Sequence, residues 1–175
     1  MTINVGIIDD HQSIIDGYTF RLEKDPDIQV VGTGNFGDDL KNIFKSSDID
    51  VLLLDISVPS SKTNPNPYPI LHIIPRLLSE HEDLSIIVIS MHNRKTLINS
   101  ILEAGASGFI LKDDRQSLVN LAEVVTVVHN DGIYFSRQTY KVLNTKDSED
   151  ALPVLSQRQK EILTLCAANP DWTTK

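Results

Sequence analysis

Five polar side chains stand directly after short apolar runs of the sequence: Asp9, Asp10, Asp55, Ser90 and Lys112. Taken singly, each has an ordinary explanation, since aspartate caps helices and serine or lysine is common where a strand ends. Three carboxylates in one crevice would repel each other, and a divalent cation with oxygen ligands, such as Mg²⁺, would relieve that repulsion. A lysine and a hydroxyl nearby would serve the oxygens of a phosphoryl group. Together the residues indicate phosphoryl transfer to a carboxylate.

These side chains converge only if the apolar runs form neighbouring strands. The runs are Ile3–Ile8, Ile28–Val31, Val51–Leu54, Leu84–Ile89 and Gly108–Leu111, and they alternate with the amphipathic stretches His11–Lys24, Asp38–Ser46, Ile70–Glu80, Arg94–Ala104 and Gln116–Asn130. Runs that are apolar almost throughout, rather than alternating, are typical of a parallel sheet covered on both faces. We predict a doubly wound α/β fold with a five-stranded parallel sheet in the flavodoxin-like order 2-1-3-4-5. Its ligands bind at the carboxyl ends of the strands.

Composition excludes several classes of protein. The chain has 175 residues, a net charge of −8 and one cysteine, Cys166, so no disulfide framework exists and a reducing, cytoplasmic setting is expected. No apolar run approaches the ~18–20 residues of a membrane span, and the N-terminus lacks the basic start of a secretory signal. The acidity argues against general affinity for nucleic acid or anionic membranes.

The ordered pattern of polar strand ends resembles the receiver domain of bacterial two-component response regulators, and more narrowly the NarL/FixJ (LuxR-type) group. The matching stretches are Val5–His11, Asp25–Gly32, Asp50–Asp55, Ile86–Ser90 and Ala104–Asp113. The resemblance covers nearly all of residues 1–140. It implies a signalling protein that catalyses only its own aspartyl phosphorylation and dephosphorylation, and that controls a C-terminal DNA-binding domain in transcription regulation.

The resemblance also implies a role for each polar residue. Asp55 would be the phosphoacceptor and would receive its phosphoryl group from a sensor histidine kinase. Asp10 and Asp55 would ligate Mg²⁺ directly, with the backbone carbonyl of Ser57 as a further ligand, while Asp9 would act largely through water.

A second group of residues would respond to the phosphoryl group. Lys112 would pair with it, Ser90 would swing to hydrogen-bond it, and the inward rotation of Phe109 would report the phosphorylated state. Ser57 and His92 occupy the variable positions that tune the lifetime of the phosphoryl group in this family. The resemblance further implies a homodimer linked to phosphorylation.

Two departures from the family pattern concern the surroundings of this site. Val58-Pro59 stands where the family usually has Met-Pro, and Ile56–Pro69 is longer than usual and holds four of the eight prolines of the chain. Because proline restricts φ, we predict a stiff extended loop there. Asp113 follows Lys112 where many receivers have proline, which leaves the cis or trans state of that bond open.

Two other functions remain open from the sequence. Gly32, Gly34 and Gly37 form a literal G-x-G-x-x-G, with Asp55 as an acid 18 residues further on, which is the pattern of a dinucleotide-binding site. Asp38, at the start of the following helix, would repel a pyrophosphate, which argues against a dinucleotide-binding site. The other alternative is an interaction module of receiver fold that signals without phosphorylation.

The C-terminal part differs from the rest. We predict a receiver at residues 1–131, a linker at 132–152 and the start of a LuxR-type helix-turn-helix at 153–175. The stretch Leu155–Ala167 reads as its first helix, with Cys166 as a buried core thiol. Because the recognition helix would lie beyond Lys175, we expect no specific DNA binding by residues 1–175, and DNA contact only through the missing part of that domain.

Overall fold

A parallel sheet of six strands forms the centre of the computed structural model, which describes residues 2–145. The strands are β1 (Ile3–Ile8), β2 (Ile28–Gly34), β3 (Val51–Asp55), β6 (Ser85–Ser90), β7 (Gly108–Leu111) and β8 (Tyr134–Phe135). They lie in the order β2-β1-β3-β6-β7-β8. The five predicted strands are therefore present in the predicted order, and β8 adds a short parallel strand beyond β7 at one edge. The candidate helix-turn-helix at residues 153–175 lies outside the described residues.

Helices cover both faces of the sheet, as the largely apolar strands require. They are α1 (Gln12–Leu22), α2 (Leu40–Ser46), α3 (Ile70–Glu80), α4 (Lys95–Glu103), α5 (Arg115–Val119), α6 (Leu121–His129) and α7 (Arg137–Leu143). One core cluster takes side chains from α2, α3 and α4, and the other takes them from α1 and α6. Within the described residues, no helix is long and apolar enough to span a membrane.

The segment after the fifth predicted helix is more ordered than the sequence suggested. The stretch Gln116–Asn130 is divided into α5 and α6 at Asn120, whose φ of −97° and ψ of 29° depart from a helix. Residues 132–145, assigned to a linker, form β8 and α7. The hydroxyl of Thr139 donates to the carbonyl of Phe109 at 3.3 Å, and the amide of Ser136 donates to the same carbonyl at 3.1 Å. These hydrogen bonds hold residues 132–145 against β7. Because the contacts are polar, the spacing of apolar residues in the sequence did not predict them.

The Pro-rich segment folds into an antiparallel hairpin, so the prediction of an extended loop is wrong in part. Its strands are β4 (Pro59–Ser61) and β5 (Asn64–Pro67). Proline has no amide hydrogen to donate, but its φ is compatible with an isolated strand at an edge. Hydrogen bonds between β4 and β5 therefore come from other donors. The hydroxyl of Ser60 donates to the carbonyl of Asn66 at 3.0 Å.

Candidate functional site

The buried ammonium of Lys112 joins two carboxylates at the carboxyl edge of the sheet. Its Nζ lies 2.6 Å from Oδ2 of Asp9 and 2.9 Å from Oδ2 of Asp55. The side chains of Asp9 and Asp55 are 2% and 4% exposed, and that of Lys112 is 10% exposed. Charges so far from water require close partners, and here each carboxylate has one.

Strand pairing explains why residues so distant in sequence meet here. Asp9 directly follows β1, Asp55 ends β3, and Lys112 directly follows β7. Since β1 pairs with β3 in parallel, their carboxyl ends lie at the same edge. The amide of Lys112 donates to the carbonyl of Ser90 at 2.8 Å, which brings the end of β6 to the same place. The structure thus brings four of the five predicted residues to one edge of the sheet, and Asp10, the fifth, directly follows Asp9.

The electrostatics of the crevice favour a charged lysine. Burial lowers the pKa of Lys112, but the hydrogen bonds and charges of Asp9 and Asp55 outweigh it, so the pKa is raised above the ordinary lysine value. Tyr18 of α1 is buried within reach of the same charges. Burial raises the pKa of Tyr18, and the negative charges of Asp9 and Asp55 raise it further, so the phenol stays neutral.

Asp10 lies at the solvent side of the crevice and is joined there by His11. Nδ1 of His11 is 2.6 Å from Oδ1 of Asp10 and 3.6 Å from Oδ1 of Asp9. Ligand atoms of these three residues lie within 4.8 Å of one another, a spacing that suits a metal ion. Asp55 is not within that group; it is tied to Asp9 through Lys112 instead.

A divalent cation fits this set of donors. Lys112 pairs with the carboxylates of Asp9 and Asp55, and Asp10 adds a third carboxylate beside Asp9, so negative charge is in excess at the mouth of the crevice. Oxygen ligands of this kind suit Mg²⁺, which keeps several waters. His11 was missed as a neighbour of this site, although its position directly after Asp9-Asp10 was the available signal.

Ser57 contacts the carboxylate of Asp55, and a chain of hydrogen bonds leads from Ser57 through His92 to Ser90. The amide of Ser57 donates to Oδ1 of Asp55 at 3.1 Å, and its hydroxyl lies 3.4 Å from Nε2 of His92. Ser90 is fully buried, and its hydroxyl accepts a hydrogen bond from the amide of His92 at 2.9 Å. Both predicted lifetime positions therefore contact each other at the rim of the crevice.

Phe109 lies behind the crevice with its side chain fully buried. It belongs to the core cluster that includes Ile98 and Ile101 of α4. Its ring points into the core in this structure, and its role as a switch stays a prediction.

Comparison with known proteins agrees with this geometry. The family model of the response regulator receiver domain matches residues 5–123. The chain belongs to this family. The predicted resemblance to response regulators is thereby confirmed.

Relatives of this receiver extend the similarity beyond the family model. Transcriptional regulatory protein DegU of Brevibacillus brevis is 28% identical over 184 residues, which cover 93% of this chain and 74% of DegU. Response regulator UvrY of Escherichia coli strain K12 is 25% identical over 174 residues, which cover 93% of this chain and 73% of UvrY. Both carry regulatory names, in agreement with a receiver that controls transcription.

Solved structures show the same fold. The isolated REC domain of RcsB from Salmonella enterica serovar Typhimurium, determined with the phosphomimetic BeF₃⁻, has a TM-score of 0.70 and 24% identity, and covers 81% of this chain and 99% of its own. A two-component response regulator of the LuxR family from Aurantimonas has a TM-score of 0.71 and 17% identity, and covers 85% of this chain and all of its own. The predicted flavodoxin-like receiver fold is confirmed.

The three glycines of the competing dinucleotide pattern have packing roles in this receiver. Gly32 and Gly34 lie inside β2, where they pair with β1, rather than in a turn that could wrap a pyrophosphate. A Cβ at Gly37 would overlap the ring of Tyr68, which packs on this position. The geometry contradicts a dinucleotide site here, because the phosphate-binding loop it needs is absent from residues 32–37.

The described residues contain no cis peptide bond, so the bond between Lys112 and Asp113 is trans. Asp114, one residue further on, is buried and caps α5 by accepting from the amide of Ser117 at 3.3 Å. The chain that leaves Lys112 thus turns directly into a capped helix.

Proposed function

We propose that Asp55 is the phosphoacceptor of this receiver and that a sensor histidine kinase is the donor. One observation carries the proposal. The buried carboxylate of Asp55 is held from two sides, by Nζ of Lys112 at 2.9 Å and by the amide of Ser57 at 3.1 Å. Each oxygen keeps a lone pair beyond these bonds, so the carboxylate is oriented and still able to act as a nucleophile.

The reaction is a transfer of one phosphoryl group. A carboxylate oxygen of Asp55 forms a bond to phosphorus while the phosphorus–nitrogen bond of the donor phosphohistidine breaks, and the imidazole leaves with the electron pair. Mg²⁺, bound by Asp10 and Asp55 with the Ser57 carbonyl and with Asp9 through water, would neutralise charge on the phosphoryl oxygens. His11 would lie beside these ligands at the mouth of the crevice.

Lys112 and Ser90 would then detect the product. A phosphoryl group on Asp55 offers new acceptor oxygens to the ammonium of Lys112, which would release its hold on Asp9. The hydroxyl of Ser90 would leave the amide of His92 for the same oxygens. We infer that these exchanges, together with Phe109, change the surface for dimerisation and so control a C-terminal DNA-binding domain in the cytoplasm.

Phosphate incorporation from a small donor tests the assignment of Asp55. With Mg²⁺ and acetyl phosphate, the protein should gain one phosphate that hydroxylamine removes, as an acyl phosphate requires. Asp55→Asn should abolish the gain, whereas Asp83→Asn, which alters an exposed carboxylate elsewhere, should leave it unchanged. Mass spectrometry of the intact protein measures both. Labelling that persists in Asp55→Asn defeats the assignment, and absence of any label on the wild type favours an interaction module that signals without phosphorylation.

A further inference from the structure

An apolar cleft lies between the hairpin and α4, beside the phosphoacceptor. It has a volume of about 540 Å³, within the ~300–1,000 Å³ typical of binding clefts. Pro67 and Tyr68 of the hairpin form one wall, Leu71 lies at the start of α3, and Leu97 and Ile101 of α4 form the opposite wall. The lengthened segment between β3 and α3 therefore builds half of this cleft.

The cleft is continuous with the phosphoacceptor crevice. Ser57 and His92 line the cleft, and the same Ser57 donates its amide to Asp55. The hydroxyl of Ser57 lies 3.4 Å from Nε2 of His92, so the two residues form the boundary between the apolar cleft and the charged crevice. A macromolecule that delivers a phosphoryl group to Asp55 must therefore lie next to this cleft.

The walls of the cleft suit an apolar occupant. Within the described part of the chain, its lining includes no carboxylate, lysine or arginine, although the chain as a whole carries a net charge of −8. Its ionisable lining groups are the imidazoles of His72 and His92 and the phenol of Tyr68. Leu71 is 40% exposed, and Met91, directly before His92, is 68% exposed. Apolar side chains left in water at such a place mark an interaction surface.

We propose that this cleft binds apolar side chains from the helix of the sensor kinase that carries the phosphohistidine. The proposal rests on Asp55 being the phosphoacceptor. A helix laid over Asp55 would place the side chains one or two turns from its histidine against the cleft, which is the usual way in which a groove receives an amphipathic helix. The hairpin would then select the kinase without taking part in phosphoryl transfer.

Comparison of a large and a small phosphodonor tests the proposal. Purified sensor kinases of the organism that encodes the chain are first loaded with phosphate from ATP, and the fastest donor to the wild type becomes the probe. Two variants place a carboxylate in the cleft from different walls: Leu71→Asp on α3 and Pro67→Asp on the hairpin. Val119→Asp, which changes an exposed apolar residue on α5, is the matched control. Acetyl phosphate is the small donor, and circular dichroism verifies the fold.

We expect both cleft variants to receive phosphate from the kinase at least about tenfold more slowly than the wild type, as for loss of a central apolar contact. Their labelling by acetyl phosphate should stay within about twofold, and Val119→Asp should match the wild type with both donors. The proposal is overturned if Val119→Asp slows kinase transfer as much as the cleft variants do. It is also overturned if the cleft variants lose acetyl phosphate labelling equally, or if no kinase labels a wild type that acetyl phosphate does label.

Two further results separate this proposal from the proposed function. A wild type that acetyl phosphate fails to label removes Asp55 as the phosphoacceptor, and the docking proposal falls with it. Cleft variants that keep normal transfer but lose a dimer in size-exclusion chromatography would assign the cleft to a second copy of this chain, which contradicts a kinase site.

Discussion

The charged crevice and the hairpin meet at Ser57, yet they are stabilised in opposite ways. The crevice holds three charged side chains, Asp9, Asp55 and Lys112, of which none is more than 10% exposed. In the hairpin, every residue of β5 is exposed, and the one charged side chain in Pro59–Pro67 is Lys62, which is exposed as well. Buried charges contribute strongly only in pairs, whereas an exposed hairpin depends on the few contacts that anchor it.

This difference indicates how the two regions tolerate change. The positions of the crevice residues follow from the hydrogen-bonded ladders of β1, β3 and β7, so loss of one charge leaves the others buried in place. The hairpin is held to the domain by Tyr68, whose amide donates to the carbonyl of Val58 at 3.0 Å and whose ring packs on Gly37. We therefore expect electrostatic changes to be costly in the crevice and steric changes to be costly at the hairpin anchor.

Removal of the ammonium from the crevice should have the largest effect on stability. Lys112→Met leaves the carboxylates of Asp9 and Asp55 buried without their common partner, which typically costs about 3–5 kcal/mol of unfolding free energy. Addition of Mg²⁺ should restore part of the loss, because the proposed cation site shares these carboxylates. Urea unfolding with EDTA and with Mg²⁺ measures both values.

The hairpin offers the matched control for that change. Lys62→Met removes an ammonium from a fully solvated site, and surface changes of this kind stay within about 0.5 kcal/mol. Equal losses from Lys112→Met and Lys62→Met would contradict the division between the two regions.

The parts of the fold that sequence predicted well are those that follow from periodicity. The strands β1, β3, β6 and β7 are largely apolar runs, and a polar residue ends or follows each of them, so the sequence predicted both the sheet and the edge where these polar residues lie. The position of Lys112 between Asp9 and Asp55 followed in turn from strand order. The bridging hydrogen bonds themselves did not, because they depend on side-chain rotamers.

The elements that the sequence did not predict are held by contacts that leave no periodic pattern of apolar residues. β8 is two residues long, and α7 is held by the hydroxyls of Ser136 and Thr139, so neither gives an apolar pattern. The hairpin is rich in proline, which argues against a strand inside a sheet but not at an isolated edge. The pattern of three glycines suggested a nucleotide site, whereas at Gly37 the space is filled by Tyr68, 31 positions later in the sequence.

The anchor of the hairpin should tolerate no added methyl group. In Gly37→Ala the new Cβ would overlap the ring of Tyr68, and the forced displacement should cost about 1–3 kcal/mol of unfolding free energy. Gly17→Ala is the control, because a Cβ there meets nothing within 4 Å and lies inside α1. That change should stabilise the protein by about 0.5–1 kcal/mol. Chemical denaturation measures both.

A double-mutant cycle identifies the ring as the cause. In the background of Tyr68→Ala, Gly37→Ala should lose most of its cost, since the atoms it would overlap are gone. A cost that stays unchanged in that background would show that the backbone at Gly37, and not the hairpin, rejects the side chain.

Alkaline pH should reveal the smallest difference between the two regions, because each contains a tyrosine with a raised pKa. Burial raises the pKa of Tyr18 at the crevice, and the negative charges of Asp9 and Asp55 raise it further. Burial also raises the pKa of Tyr68 at the hairpin, which is less buried, and the charge of Asp38 raises it further. An unfolded tyrosine loses its proton near about pH 10. Above that pH the unfolded chain binds fewer protons than the folded one, so stability falls as pH rises.

The two tyrosines should differ in how much of this loss they cause. Between about pH 10 and 11 a tyrosine that stays neutral when folded contributes a loss of about 1 kcal/mol. Tyr18→Phe should remove nearly all of that contribution, because Tyr18 is buried beside two carboxylates, whereas Tyr68→Phe should remove a smaller part. Lys112 contributes in the same direction: because its pKa is raised in the folded state, its stabilising contribution is full below about pH 10.4 and is lost as the pH rises further. Lys112 is present in both variants, so its contribution cancels when they are compared. Urea unfolding across this pH range measures how steeply the free energy of unfolding falls with pH in each variant. If Tyr68→Phe reduces that slope more than Tyr18→Phe does, the hairpin, not the crevice, is the more strongly desolvated region.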